Sequence, residues 1–159
     1  VNETKAENCT TCGLYLPGIE RTEGGLAHPV YVLYTRLRTM GQSALKGEIS
    51  KEEYKKFLDE MSIKMARREQ SIRELEIPPE ALDDFRQELE VGFEGIDLYN
   101  RALVNFRQFS VTGEASYMTA GLEFAWQGNE KINEARLINR RNRAATGDLE
   151  EEPAPETPA

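Results

Sequence analysis

Three long stretches of this chain place their apolar residues at alternating intervals of four and three. The first comprises Tyr54, Leu58, Met61, Met65, Ile72 and Leu75, with Arg68 in the remaining position. The second runs Leu82, Phe85, Leu89, Gly92, Ile96, Tyr99, Leu103 and Phe106. The third holds Met118, Leu122, Trp126 and Ile132, beside a row of small residues at the same spacing, Gly121, Ala125, Gly128 and then Ala135. Such spacing follows the α-helical turn and gathers apolar groups on one stripe, whereas a half-buried strand would alternate every second residue. A helix with a single apolar stripe must bury it against other helices. The chain is therefore expected to be all-α.

Strong punctuation separates the segments. A first, shorter helix is expected over residues 29–46, with Pro29 at a position where its missing N–H costs nothing. Its apolar face is Val30, Leu33, Leu37, Met40 and Ala44, and Gly47 ends it. Ser50 and Glu53 then form an S-x-x-E capping box, with Ile49 and Tyr54 in the staple positions around it. Pro78 and Pro79 close the second helix and open the third, expected over residues 79–111 with acidic first turns (Glu80, Asp83, Asp84) that suit the helix dipole. Gly113 marks the next turn, and the fourth helix is expected over residues 115–144. Arg68 either extends out of the seam on its long stem or pairs with a carboxylate at the bundle edge.

The last three helices come out at ~40–50 Å each at 1.5 Å per residue. Short links make sequential helices antiparallel neighbours, so the expected fold is an up-down-up-down four-helix bundle over residues 29–146. Glycine weakens a helix interior by about 1 kcal/mol relative to alanine. Gly92, Gly121 and Gly128 on packing faces thus point to a close approach of the third and fourth helices, with a local kink as the rival explanation. Residues 147–159 carry three prolines and five acids with almost no apolar bulk, and are expected to be a disordered acidic tail.

Charge and composition narrow the function classes. A net charge of −8 argues against a general binder of nucleic acid or anionic membrane. No run approaches the ~18 apolar residues of a membrane span. The first residues are polar and unlike a secretory signal, and the two cysteines, Cys9 and Cys12, are too few and too close for a disulfide framework. A reduced, cytoplasmic protein is the expectation.

Those cysteines form the one motif with chemical content. Cys9-Thr10-Thr11-Cys12-Gly13 is a C-x-x-C-G knuckle, in which two thiolates reach one tetrahedral metal and the glycine permits the tight turn. With Asn2 and Ala6 ahead of it, the segment resembles the second half of the short bacterial zinc ribbons built from two C-x-x-C-G knuckles. The resemblance covers about 14 residues, and the first knuckle is absent from this chain. It implies a zinc site with Cys9 and Cys12 as half of the ligand set, a ribbon over residues 1–18 and a linker over residues 19–28. The missing pair is expected just upstream of Val1, or from a second copy in a zinc-dependent homodimer. His28 offers a third ligand at C-x-x-C-x15-H, and equally a plain flank to Pro29. Two idle surface thiols are the bland alternative.

The same inventory argues against catalysis. A di-iron site in a bundle needs two E-x-x-H pairs, and the chain has a single histidine outside the long helices. Ser–His and Cys–His pairs fail on the same count, and Gly24-Gly25 lacks the strand and lysine of a phosphate loop. Arg136, Arg140, Arg141 and Arg143 form the one basic cluster. Cations suit a helix C-terminus, and the tail that follows can neutralise them; the sharper reading is a nucleic-acid contact. The leading expectation is a non-enzymatic protein-interaction module. The alternative is a nucleic-acid-associated regulator using the ribbon with the arginines. A ligand pocket near Tyr99 and Trp126 is a third reading, against an ordinary core role for those rings.

Overall fold

The computed structural model describes residues 31–146, with side chains described through Arg143. The expectations that fall on Cys9, Cys12, His28, Pro29 and the acidic tail lie outside the described residues. Within them are four helices and no strand: α1 (Val32–Leu45), α2 (Lys51–Arg73), α3 (Leu82–Thr112) and α4 (Ala115–Thr146), with a 3-10 turn at Pro79–Ala81 leading into α3. The four helices pack against one another.

Helix α2 begins where the capping box predicts. Glu53 N–H donates to Ser50 Oγ at 3.1 Å, and Ser50 N–H donates to Glu53 Oε2 at 2.7 Å. Two otherwise orphaned donors are thereby satisfied. Gly113 ends α3 in the left-handed region at φ 73°, its N–H donating to the Phe109 carbonyl at 2.8 Å. A residue with a Cβ adopts that backbone only at a cost. One boundary departs from the seam pattern. Helix α2 stops at Arg73, which leaves Leu75 outside any helix and 58% exposed. Pro78 bars the helix from running on, because it has no N–H for the Glu74 carbonyl and its ring would clash with that carbonyl.

Contacts fix how the helices run past each other. Phe106 lies at Gly121, Tyr99 at Gly128 and Gly92 at Ala135, while Asn139 bonds Glu88 and Asn142 bonds the Asp84 carbonyl. Between α2 and α3, Tyr54 meets Phe109 with ring centroids 6.1 Å apart, Asp59 meets Arg107 at 2.7 Å, and Arg73 sits 4.7 Å over Phe93. On α1, Tyr34 packs edge-on to Trp126 of α4 at 5.1 Å, and Arg36 lies 5.7 Å over Phe57 of α2. Along α2–α3 and α3–α4, rising numbers on one helix meet falling numbers on the next.

Leu37, Tyr54, Leu58, Ile96, Tyr99, Phe106 and Met118 are fully buried and form the centre of the core. Each such side chain contributes roughly 1.5–3 kcal/mol by leaving water. Burial then fades toward the end where α2 gives way to α3. Ile72, Leu89 and Phe93 are only half-buried there, and Leu82 is 46% exposed. The apolar seam continues, but α1 is only 14 residues long and does not reach that far.

Helices α3 and α4 make the closest pairing. The buried face of α4 is its small row, Gly121, Ala125, Gly128 and Ala135, while Leu122, Trp126 and Ile132 flank it half-buried. A Cβ on Gly121 would stand 2.5 Å from the Phe106 ring, and one on Gly128 2.9 Å from the Gly95 carbonyl oxygen. None of these helical glycines has positive φ, so they serve space and not backbone freedom. The close approach expected of Gly121 and Gly128 is therefore present. Gly92 differs, since the nearest atom to its imagined Cβ is Ala135 Cβ at an ordinary 3.9 Å. Gly95, outside the four-three stripe, takes its place: a Cβ there would meet Gly128 O at 3.1 Å and Ile132 Cδ1 at 2.9 Å.

Candidate functional site

Two aromatic residues with pocket potential in the sequence prove to have separate packing roles. The Tyr99 hydroxyl donates to Asn129 Oδ1 at 3.0 Å in the interior, and burial pushes its ionisation far above the ordinary range. It is a neutral donor that ties α3 to α4. The Tyr54 hydroxyl and Asn129 Nδ2 are buried beside the same core without a partner. Trp126 is engaged elsewhere, stacked on Tyr31 at 5.6 Å and met edge-on by Tyr34. The pair marks the joint where the chain enters α1.

The basic cluster occupies the final turns of α4. Arg136, Arg141 and Arg143 are exposed and Arg140 is half-buried. Helix α3 brings its acidic start alongside. Asn139 Nδ2 donates to Glu88 Oε1 at 2.8 Å, and Asn142 Nδ2 donates to the Asp84 carbonyl at 2.8 Å. Burial is the largest influence on the Glu88 carboxyl and raises its pKa; hydrogen bonds from Asn139 and Asn142 and the charge of Arg143 pull it back without cancelling the rise. Glu88 Oε2 has no hydrogen-bond partner. Arg143, the last of the cluster, thus acts on the Glu88 carboxylate of α3, an opposite charge from within the bundle.

Two open grooves mark the surface. One, of about 500 Å³, lies between α1 and α2, with Met40 and Phe57 on its floor and Arg36, Lys56, Glu53 and Glu60 on its sides. The other, of about 370 Å³, lies at the α2–α3 end and is walled by Ile72, Leu75, Ile77, Leu82, Leu89 and Phe93. Arg73 closes its edge, lying over Phe93 and held by Glu69 at 2.7 Å. Sequence reasoning assigned four of these six apolar residues to a buried seam and missed the groove. The available signal was a mismatch of lengths, because the seam runs on past the reach of the short first helix.

Interhelical polar pins were also missed. Arg107 of α3 reaches Asp59 and Ser62 of α2 at 2.7 and 2.9 Å, and Lys131 of α4 reaches Glu94 of α3 at 3.1 Å. Arg68 is exposed, and its charge acts on Tyr99 by lowering that hydroxyl's pKa against the larger effect of burial. No three His, Cys, Asp or Glu side chains converge as a metal set among the described residues, and Cys9, Cys12 and His28 lie outside them. Among the described residues no helix is long and apolar enough to cross a membrane. No family model, no curated protein and no solved structure matches this chain.

Proposed function

We propose that this chain is a non-enzymatic protein-interaction module, in which an antiparallel up-down-up-down bundle is the frame for an N-terminal zinc ribbon. The observation that carries the reading is the use made of the bundle's polar groups. Tyr99 bonds Asn129, Glu88 bonds Asn139, and Arg107 bonds Asp59 and Ser62. Each of these joins one helix to another, which suits a rigid support. The falling-against-rising register of the contacts supports the antiparallel topology. The α1–α2 groove, with an apolar floor and charges of both signs on its sides, suits a protein partner.

The ribbon rests on Cys9, Cys12 and Gly13 and on the spacing of Asn2 and Ala6 ahead of them. Two thiolates leave two zinc positions to fill, so a second knuckle, encoded upstream or contributed by another copy, completes the tetrahedron. Zinc content measured beside a light-scattering mass tests this. With the second knuckle upstream, the longer chain is expected to bind one zinc and this chain to bind it poorly. Failing that, two copies share one metal in a zinc-dependent dimer with half a zinc per chain, lost in Cys9→Ser. A metal-free monomer, from a gene with no further knuckle ahead of the codon for Val1, ends the ribbon reading.

A second reading draws on the exposure of Arg136, Arg141 and Arg143 at one end of α4. There the ribbon and these arginines together contact nucleic acid. It is favoured over the first if the chain shifts labelled DNA or RNA in a salt-dependent way that replacement of the four arginines abolishes.

A further inference from the structure

The groove at the α2–α3 end is the outward continuation of the core. Leu82 and Leu89 share the α3 stripe with Ile96 and Leu103, and Ile72 follows Leu58, Met61 and Met65 on α2. Those partners are buried, whereas the groove residues are half-buried or exposed, Leu75 to 58% and Leu82 to 46%. What changes between the two levels is the fourth wall. Helix α1 begins at Val32, with Tyr31 stacked on Trp126, and no described residue continues it toward the groove.

The direction of α1 says which part of the chain comes next. Gly41 lies at Met118 and Tyr54, and Tyr34 lies at Trp126, so going back along α1 leads up α4. Arg36 over Phe57 places the same backward path toward the C-terminal half of α2, where Ile72 and Leu75 stand. The N-terminal end of α1 therefore points toward the groove end of the bundle. The residues preceding Tyr31 carry one cluster of bulky apolar side chains, Leu14, Tyr15, Leu16 and Ile19, with Pro17-Gly18 between them to turn the chain. Everything else before residue 28 is polar or small except Val1 and Leu26.

The reach suffices. Gly128 lies against Tyr99, which puts Trp126 and Tyr31 near residue 101 of α3. From that level Phe93 is ~12 Å away and Leu82 ~28 Å, at 1.5 Å per residue. The eleven residues from 20 to 30, which include Gly24-Gly25, span up to ~36 Å when extended.

We propose that residues 14–19 of this same chain lie in the groove formed by Ile72, Leu75, Ile77, Leu82, Leu89 and Phe93, taking the place of the fourth wall there and fixing the preceding Cys9–Cys12 knuckle at that end of the bundle. The docking is hydrophobic and does not depend on metal. It is tested in the full chain by Tyr15→p-benzoylphenylalanine, with irradiation and mass-spectrometric mapping in a mixture of labelled and unlabelled chains. The expected product is a link within one chain to residues 72–93. Its yield falls several-fold in Leu75→Asp and Leu82→Asp, whose side chains are exposed enough for the bundle to stay folded. The same link is expected in a Cys9→Ser, Cys12→Ser background, so a failure of docking and a failure of zinc binding are read separately. Links between chains would give the groove to a second copy and overturn the proposal. Yields at residues 72–93 no higher than at the solvent face of α2 would overturn it too.

Discussion

Glu53 and Glu88 show how environment sets the sign of a carboxylate's contribution. Glu53 accepts from the Ser50 backbone and side chain, which hold its pKa below the ordinary value. Its stabilisation is present above the unfolded-state pKa and is lost as pH falls through the lowered one. Glu88 is the reverse case. Burial outweighs the help of Asn139, Asn142 and Arg143, and its folded pKa is raised. A raised acid favours folding below the unfolded value and loses that contribution as pH climbs through the folded one. Above its folded pKa, Glu88 therefore carries a charge that burial disfavours, and its Oε2 has no hydrogen-bond partner. Glu88→Gln keeps an acceptor for Asn139 and removes the charge. We expect it to raise the melting temperature at pH 7 and to change it little near pH 4. A lower melting temperature at pH 7 would show that the Arg143 attraction governs the site.

Helices α3 and α4 lie close enough that single methyl groups decide their pairing. Gly128→Ala places a Cβ 2.9 Å from the Gly95 carbonyl oxygen and 3.2 Å from Tyr99 N, both backbone atoms that cannot move aside alone. We expect a loss of about 1–3 kcal/mol in denaturant unfolding, despite alanine's better helix propensity. Gly92→Ala meets nothing nearer than 3.9 Å and should gain up to ~1 kcal/mol. Equal effects at the two sites would mean that helix propensity, not interhelical space, sets the outcome. Much at this scale was legible in the sequence. The capping box, the Gly113 turn and the seams of α2 and α3 depend on residues a few places apart, and all are present in the fold. Gly95, the Glu88–Asn139 bond and the Arg107 pins were not legible, because their partners lie 33 to 51 residues away and are chosen by the rotation of one helix against another. Leu75 was misassigned for a related reason. Its spacing is seam-like, but burial needs a helix opposite, and α1 stops short.

Taken whole, the bundle draws its core from side chains between Leu37 and Ile138, all remote in sequence from the two cysteines. The helical frame should therefore unfold as one unit and be indifferent to metal. A chelator is expected to leave the far-ultraviolet helical signal intact, and loss of most of it would mean that metal organises the bundle. The candidate ligands Cys9, Cys12 and His28 lie outside the described residues, and their reading rests on spacing. One arrangement within the frame has an optical consequence. The chain has a single tryptophan, and its ring is stacked beneath Tyr31 where the N-terminal residues enter α1. Whatever lifts that entrance trades an aromatic neighbour for water on the indole and reddens its emission. Tyr31 and Tyr34, already within 6 Å of it, are placed to hand it their excitation. The molecule thus carries a fluorescent gauge at the entrance to α1, with no label attached.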